Sequence, residues 1–521
     1  MAKKRQRWGT RTGVILAVAG SAVGLGNFLR FPVQAAKYGE GAFMIPYLIA
    51  LLVVGIPLVW VEWTAGRFGG GFGHSSSPGI FQSLTKNRLA KYVGILGIFG
   101  PFLIYMYYIY IESWCLAYAY YFLTGQLDGI AASSGFVDFL SNHQGLGGEV
   151  GTFAGTSQAF IFFIITFALN ISVTYFGIKG GIEKLCNIAL PILFFFGIVL
   201  AIRVITLFAP DPLHPDWSSI NGLGFLWNAD LSALKSAKVW MAAAGQVFFT
   251  LSVGMGVILT YSSYVRKEDD IALSGLAAGS TNQFAEVVVA GSLVIPAAFI
   301  FFGPGEIVGI ANSGAFNLAF VTMPQIFNKV TMGVLFGFLW FFMLFLAGIT
   351  SSVSIAQPSV AFLEDEFKIS RQKAVKIFAV IAFFLCQPAI WFIHRGVLDD
   401  LDFWGSNFII VLGATVEIVL VAWVFGIDKA WNELHKGSKV KIPRIFRFII
   451  KYVTPACLLS LLGWWFYSDW WKVITMEGVP SENVPFVLGT RLLLLLILIV
   501  LAIMVYIAWK KRGTSLSGKE A

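Results

Sequence analysis

Residues 20–32 read GSAVGLGNFLRFP, and residues 250–256 read TLSVGMG. Each string interrupts a long apolar stretch near its middle, and each is rich in glycine, which destabilises a helix interior by about 1 kcal/mol relative to alanine. Small residues alone are typical of closely packed membrane helices. Two glycine-interrupted helices in corresponding positions of two halves indicate inverted repeats around a central binding site. The pair therefore predicts two helices that are broken midway through a membrane.

The composition also points to lipid as the surrounding medium. Of the 521 residues, 57% are hydrophobic and 12% are charged, whereas a soluble domain is about 25% charged. This balance argues against a soluble enzyme, a disordered scaffold and a nucleic-acid binder. Stretches long enough to cross about 30 Å of hydrocarbon are predicted at about 11–37, 42–68, 90–124, 158–176, 184–207, 237–263, 271–302, 331–364, 372–394, 404–426, 446–467 and 487–509.

The basic residues predict the orientation of these spans. The net charge is +9, and most lysines and arginines fall in the loops that would share the N-terminal side, as expected for cytoplasmic loops. An even number of spans then places both termini in the cytoplasm. The N-terminal MAKKRQRW leads into a long glycine-rich helix, so we expect no cleaved signal peptide. Apolar stretches within 303–330 predict a hairpin of short helices.

Polar side chains in several spans share one helix face. On the eighth span the spacing i, i+3, i+4, i+7, i+8 is filled by Ala347, Thr350, Ser351, Ser354 and Ile355. Asn282 and Glu286 are four residues apart on the seventh span. A lone serine or threonine in a membrane helix usually bonds its own backbone, but several such faces converging on two breaks indicate a binding site. We find no nucleotide-binding or hydrolase motif, so we predict no enzyme and an ion gradient as energy source.

The chain resembles the neurotransmitter:sodium symporter family, and most of all its bacterial leucine transporters. The resemblance runs from about Arg5 to Arg512, and its longest strings are GSAVGLGNFLRFP (20–32), GAFMIPY (41–47), YYIYIESW (107–114), GQVFFTLSVGMG (245–256), YSSYVRK (261–267), GITSSVS (348–354) and FLEDEF (362–367). It implies an all-α integral membrane protein with twelve transmembrane helices and a five-plus-five inverted repeat, with helices 1 and 6 broken at the midplane. Repeat one would cover about 11–207 and repeat two about 237–426, followed by two additional helices at about 446–509.

The resemblance also implies two Na⁺ sites, a substrate site and two gates. The first Na⁺ site would use Ala22, Asn27, Thr250 and Asn282, and the second Gly20, Val23, Ala347, Thr350 and Ser351. The substrate would contact Ser21, Ala22, Leu25, Gly26, Ile104, Tyr108, Phe249, Thr250, Ser252, Met255, Ser351 and Ile355. Arg30 with Asp402 would close the outside. Arg5 with Asp365 would close the inside, supported by Trp8, Ser263 and Tyr264.

Differences from family members at the substrate and ion sites indicate which substrate the protein carries and whether it needs chloride. Monoamine members of the family have Asp at the place of Gly24, so its absence indicates an amino-acid substrate with its own carboxylate. Met255, Ile104 and Ser21 replace Phe, Val and Asn of the leucine transporter, and we predict a neutral, largely aliphatic amino acid. Chloride-dependent relatives have Ser at the place of Glu286, so this carboxylate indicates chloride independence. Proton counter-movement through Glu286 stays open.

Other functions stay as alternatives. An amino-acid sensor or receptor on the same fold is the main one, and a channel or an intramembrane enzyme are weaker ones. The resemblance implies a multi-pass protein of a bacterial-type inner (plasma) membrane, surrounded by lipid, with a homodimer as a candidate assembly and no nucleic-acid partner.

Overall fold

The computed structural model describes residues 6–130, 133–147, 158–228 and 230–512, and within these residues the regular elements are helices, with no β-strand. The principal helices are α1 (halves α1a Arg11–Ala22 and α1b Leu25–Lys37), α2 (Gly41–Gly71), α3 (Ala90–Leu123), α4 (Gln158–Tyr175), α5 (Ile178–Ile205), α6 (halves α6a Ala237–Thr250 and α6b Val257–Ser262), α7 (Ile271–Phe302), α8 (Gly333–Phe367), α9 (Arg371–Trp391), α10 (Val397–His435), α11 (Ile445–Ser468) and α12 (Val484–Lys510). All of them except α6, with the two halves of α1 taken together, are long and apolar enough to cross a membrane. The predicted all-α membrane architecture is confirmed.

The two glycine-rich strings break α1 and α6 as the sequence predicts. The halves of α1 meet at an angle of 48°, and turns at 251–256 separate the halves of α6. Gly254 and Gly256 adopt φ angles of 77° and 71°, a region that residues with a side chain rarely occupy. A Cβ atom on Gly254 would also lie 2.3 Å from the Ile410 carbonyl oxygen. Glycine is therefore required at this turn for both conformation and space.

Buried carboxyl groups brace the helices around these breaks. Glu62 of α2 accepts a hydrogen bond from the Gly254 N–H across 2.6 Å, which satisfies a donor that the broken helix leaves free. On the other side, α3 packs closely against α8. The Glu112 side chain fills the space beside Gly348, where a Cβ atom would lie 2.7 Å from Glu112 Cγ.

One further prediction agrees with the structure, and two features of the helices were not predicted. The segment 303–330 forms the predicted hairpin, with Pro304–Asn312 and Ala315–Lys329 bent by 119°. Helix α10 is longer at both ends than the predicted 404–426. Its start was missed because Asp399, Asp400 and Asp402 lower the local hydropathy, although the structure pairs the Asp400 carboxylate with Arg491 at 2.8 Å. Wide π-helical turns occur at Phe284–Ala290 in α7 and Phe403–Ile409 in α10. The division into two repeats stays a prediction.

Candidate functional site

The two helix breaks lie against each other. The Ser252 hydroxyl of the α6 turn donates to the Ser21 carbonyl of α1a across 3.0 Å. The Leu25 N–H, at the start of α1b, donates to the Tyr108 hydroxyl of α3 across 3.3 Å. The first N–H groups of a helix have no partner within it and carry partial positive charge. The start of α1b is therefore suited to a carboxylate, with Tyr108 beside it.

Other side chains closely approach the two glycines at the start of α1b. A Cβ atom on Gly24 would lie 2.8 Å from Ser351 Oγ and 3.0 Å from the Tyr108 hydroxyl. A Cβ atom on Gly26 would lie 2.3 Å from the Phe249 ring. The predicted apolar lining residues Ile104, Met255 and Ile355 are buried, and Phe249 is half-buried.

Asn27, Thr250 and Asn282 form a compact cluster where α1b, α6a and α7 meet. Asn27 Nδ2 lies 2.8 Å from Asn282 Oδ1 and 3.1 Å from Thr250 Oγ1, and Asn282 Nδ2 lies 2.9 Å from Thr250 Oγ1. All three side chains are buried. Amide and hydroxyl oxygens are hard, neutral ligands of the kind that an alkali cation accepts. Ala22, predicted to add its carbonyl, is the last residue of α1a.

A second oxygen cluster lies where α8 crosses the end of α1a. Ser351 Oγ is within 3.5 Å of three carbonyl oxygens, those of Gly20, Ser21 and Val23. Thr350 Oγ1 lies 3.1 Å from the Ala347 carbonyl on the same face of α8. The C-terminal end of a helix carries partial negative charge and unpaired carbonyls. The structure thus brings together the residues predicted for the second Na⁺ site, and the donor set fits a monovalent cation.

Glu286 lies beside the first cluster and is fully buried. It accepts hydrogen bonds from Tyr47 Oη at 2.7 Å, from Thr250 Oγ1 at 2.5 Å and from Gln246 Nε2. Three donors on one carboxyl group are typical of an anionic acceptor. The π-helical turn Phe284–Ala290 positions this carboxylate, as such turns often do at functional sites.

Comparison with known proteins gives the family. The family model described as "Sodium:neurotransmitter symporter family" matches residues 5–137 and 149–511. The chain belongs to this family. An uncharacterized sodium-dependent transporter of Methanocaldococcus jannaschii is 30% identical over 505 residues, which cover 96% of this chain and 97% of that protein.

Two further relatives extend the comparison. The sodium-dependent serotonin transporter of Drosophila melanogaster is 25% identical over 513 residues, covering 90% of this chain and 79% of its own. The crystal structure of MhsT in complex with L-phenylalanine is 30% identical, with a TM-score of 0.75, and covers 88% of this chain and 99% of that one. The predicted family and fold are confirmed. The protein is a multi-pass, sodium-dependent membrane transporter, and its family is one of transporters rather than enzymes.

The outer gate pair predicted for this symporter family is not joined in the structure. Arg30 donates to Asn407 Oδ1 across 3.1 Å, and its guanidinium carbon lies 4.4 Å from the centre of the Phe249 ring. Asp402 accepts a hydrogen bond from the Tyr107 hydroxyl across 2.6 Å. Among the described residues no ion pair joins Arg30 to Asp402, because each has a nearer partner.

At the predicted inner gate, Arg5 lies outside the described residues. Trp8 Nε1 donates to the Tyr261 carbonyl across 2.9 Å, and Asp365 accepts from the Ser75 N–H across 2.7 Å. Ser263 and Tyr264 line a cavity of about 310 Å³. Nearby, Glu183 of α5 caps the start of α1a. It accepts from the Gly9 N–H at 2.7 Å and from the Thr10 N–H at 3.0 Å.

Several residues of the site were missed at the level of sequence. They are Tyr47, Gln246, Tyr107, Asn407 and Glu183. Tyr47, Gln246 and Tyr107 lie within strings shared with the symporter family, but a tyrosine or glutamine in such a string has no distinctive spacing. Glu183 lies just before the predicted span 184–207 and would therefore be taken for a loop residue, so only the fold reveals its contact with the N-terminal segment.

Proposed function

We propose that the protein is a sodium-coupled symporter that imports a neutral, largely aliphatic amino acid by alternating access, independently of chloride. One observation carries this proposal. At the start of α1b the N–H groups of Leu25 and Gly26 and the Tyr108 hydroxyl lie beside Gly24, which carries no side-chain carboxylate and where a Cβ atom would lie 2.8 Å from Ser351 Oγ. A substrate must then bring its own carboxylate. MhsT, a relative of similar fold, is in complex with L-phenylalanine.

Two Na⁺ ions would accompany the substrate. The first would be held by Asn27, Thr250, Asn282, the Ala22 carbonyl and the substrate carboxylate. The second would be held by the hydroxyls of Thr350 and Ser351 with the carbonyls of Gly20, Val23 and Ala347. Because the first ion and the substrate would share a ligand, each should raise the affinity for the other by the same factor.

The substrate would lie between the two breaks. Its ammonium group would meet carbonyls around Phe249 and Thr250 and the Ser252 hydroxyl. Its side chain would meet the buried apolar residues Ile104, Met255 and Ile355, which favour an uncharged group because a charge there would have no partner.

Glu286 would supply the negative charge that chloride supplies in some relatives. Its three hydrogen-bond donors, Tyr47, Gln246 and Thr250, form a small anion-binding cage that the carboxylate already fills. The carboxylate would balance the charge of the first Na⁺ ion without an external anion.

Orientation and assembly complete the proposal. Both termini would lie in the cytoplasm of a cell with a bacterial-type inner membrane, with lipid around the helices and a homodimer as the candidate assembly. Arg30 with Asp402 and the Asp365 region with Trp8, Ser263 and Tyr264 would form the outer and inner gates.

Uptake into proteoliposomes tests the proposal. Radiolabelled neutral amino acids should accumulate against their gradient when external Na⁺ is high, and equally with chloride or gluconate as the anion. Preference for a charged amino acid would overturn the predicted substrate class. Sodium-dependent binding without accumulation would favour a sensor.

A further inference from the structure

The predicted outer gate residues are each held by a hydrogen bond to a third residue. The Asp402 carboxylate, in α10, accepts from the Tyr107 hydroxyl across 2.6 Å, and Tyr107 is buried in α3. Arg30, in α1b, donates to Asn407 across 3.1 Å and stacks on the Phe249 ring. The cation and the anion that would form the gate are therefore engaged separately.

The π-helical turn Phe403–Ile409 explains how one helix provides both contacts. Hydrogen bonding in such a turn runs from residue i to i+5, and Asp402 and Asn407 are five residues apart. Both side chains are thereby presented at the outer end of the site, one towards α3 and one towards α1b. In a regular α-helix, residues five apart do not share a face.

We propose that Tyr107 and Asn407 are positioning residues of the outer gate, which hold Asp402 and Arg30 apart until substrate binding lets the two exchange partners. The inference rests on the proposed alternating-access function. Tyr107 competes with Arg30 for the Asp402 carboxylate, and Asn407 competes with Asp402 for the guanidinium. Both side chains thus oppose closure on the outside.

The physical basis is competition for one charged acceptor. A hydrogen bond to a charged group stabilises by more than a neutral one, and the Tyr107 bond must be weakened before Asp402 can turn fully to Arg30. Removing the Tyr107 hydroxyl, which also hydrogen-bonds the Ser406 hydroxyl, leaves the buried ring in place and takes one donor from the Asp402 carboxylate. The coupling between Arg30 and Asp402 should then increase.

A double-mutant cycle measures this coupling. Sodium-dependent amino-acid binding is measured for purified wild-type protein, Arg30→Gln, Asp402→Asn and the double variant, and the cycle is repeated with Tyr107→Phe. We expect the coupling factor between Arg30 and Asp402 to rise roughly tenfold in the Tyr107→Phe background, with slower substrate dissociation. An unchanged or smaller coupling factor would overturn the proposal.

Two further variants test whether the effect is specific to the outer gate. Asn407→Ala, at an exposed side chain, should shift the coupling in the same direction by a smaller factor, and no shift would contradict the role of Asn407. Tyr105→Phe is the matched control, because the Tyr105 hydroxyl is buried on the same helix without a hydrogen-bond partner in the described residues. It should leave the cycle unchanged, and a shift as large as that of Tyr107→Phe would refute a specific role for Tyr107.

The outcome also separates this inference from the proposed function. Wild-type protein without any sodium-dependent amino-acid binding would overturn both. Normal wild-type binding and uptake, with a cycle that Tyr107→Phe and Asn407→Ala do not change, would overturn the gate inference alone.

Discussion

Replacing Glu286 by serine should make the transporter dependent on chloride. The carboxylate is buried and accepts hydrogen bonds from Tyr47, Thr250 and Gln246. Serine would leave these donors facing a small space without an anion. Chloride could enter that space and restore the negative charge, because the donors that bind it are already oriented.

The magnitude follows from Coulomb's law. Thr250 Oγ1 lies 2.5 Å from Glu286 Oε2, and an ion coordinated by that hydroxyl at about 2.4 Å is at most about 5 Å from the carboxylate. At an effective dielectric constant of about 20, two unit charges at this distance interact by about 3 kcal/mol. Without chloride, Glu286→Ser should therefore weaken Na⁺ binding by up to about two orders of magnitude.

The assay is substrate binding as a function of Na⁺ concentration, in sodium chloride and in sodium gluconate. Wild-type protein should give the same curve in both salts. Glu286→Ser should give a curve shifted to higher Na⁺ in gluconate and largely restored in chloride. Glu286→Asp is the control, because it keeps the charge and should stay independent of chloride. Identical curves for Glu286→Ser in the two salts would refute the reasoning.

Three further predictions address specificity, coupling and pH. Gly24→Asp should weaken amino-acid binding by about tenfold or more, because the new carboxylate would lie at the start of α1b, where it would repel the substrate carboxylate, and its Cβ atom would lie 2.8 Å from Ser351 Oγ. Equilibrium binding checks this, and retained affinity would contradict the reasoning. Ser351→Ala should lower the apparent Na⁺ affinity about tenfold while the binding at saturating Na⁺ persists, as a Na⁺ titration would show. Burial lowers the pKa of His143, in the loop helix Ser133–Gln144, from 6.5 to about 4. The folded state then favours the neutral imidazole, so this group's contribution to the free energy of unfolding is complete above pH 6.5 and falls by about 3 kcal/mol as the pH drops towards 4. His143→Phe should flatten the pH dependence of the melting temperature over that range. An unchanged slope would contradict the prediction.

The sequence predicts the parts of this site that follow from helical periodicity or from a local concentration of glycine. The glycine clusters at residues 20–26 and 254–256 mark the breaks because glycine destabilises a helix interior. It is suited to places where the backbone departs from the helical conformation. The face of α8 that carries Thr350 and Ser351 follows from regular helical spacing. Both features depend only on local geometry.

The parts that could not be predicted depend on irregular turns and on distant partners. The π-helical turns around Glu286 and after Asp402 change which residues share a face, and no residue pattern in the sequence marks them. The Tyr107 bond to Asp402 joins residues far apart in the chain. A gate pair inferred from charge alone therefore misses the neutral side chains that compete for each charge.

Thr250 connects the carboxylate to the first oxygen cluster in a way that follows from counting protons. Its hydroxyl has one hydrogen, which is committed to Glu286 at 2.5 Å. The oxygen can therefore only accept on its other side, where the amide nitrogens of Asn27 and Asn282 lie at 3.1 and 2.9 Å. A cation that displaced these amide donors would meet lone pairs on Thr250 and, with the amides turned, on Asn27 and Asn282 as well. Glu286 thus acts on the ion both through its charge and by fixing the direction of the Thr250 proton, and serine at 286 would remove the first effect and release the second.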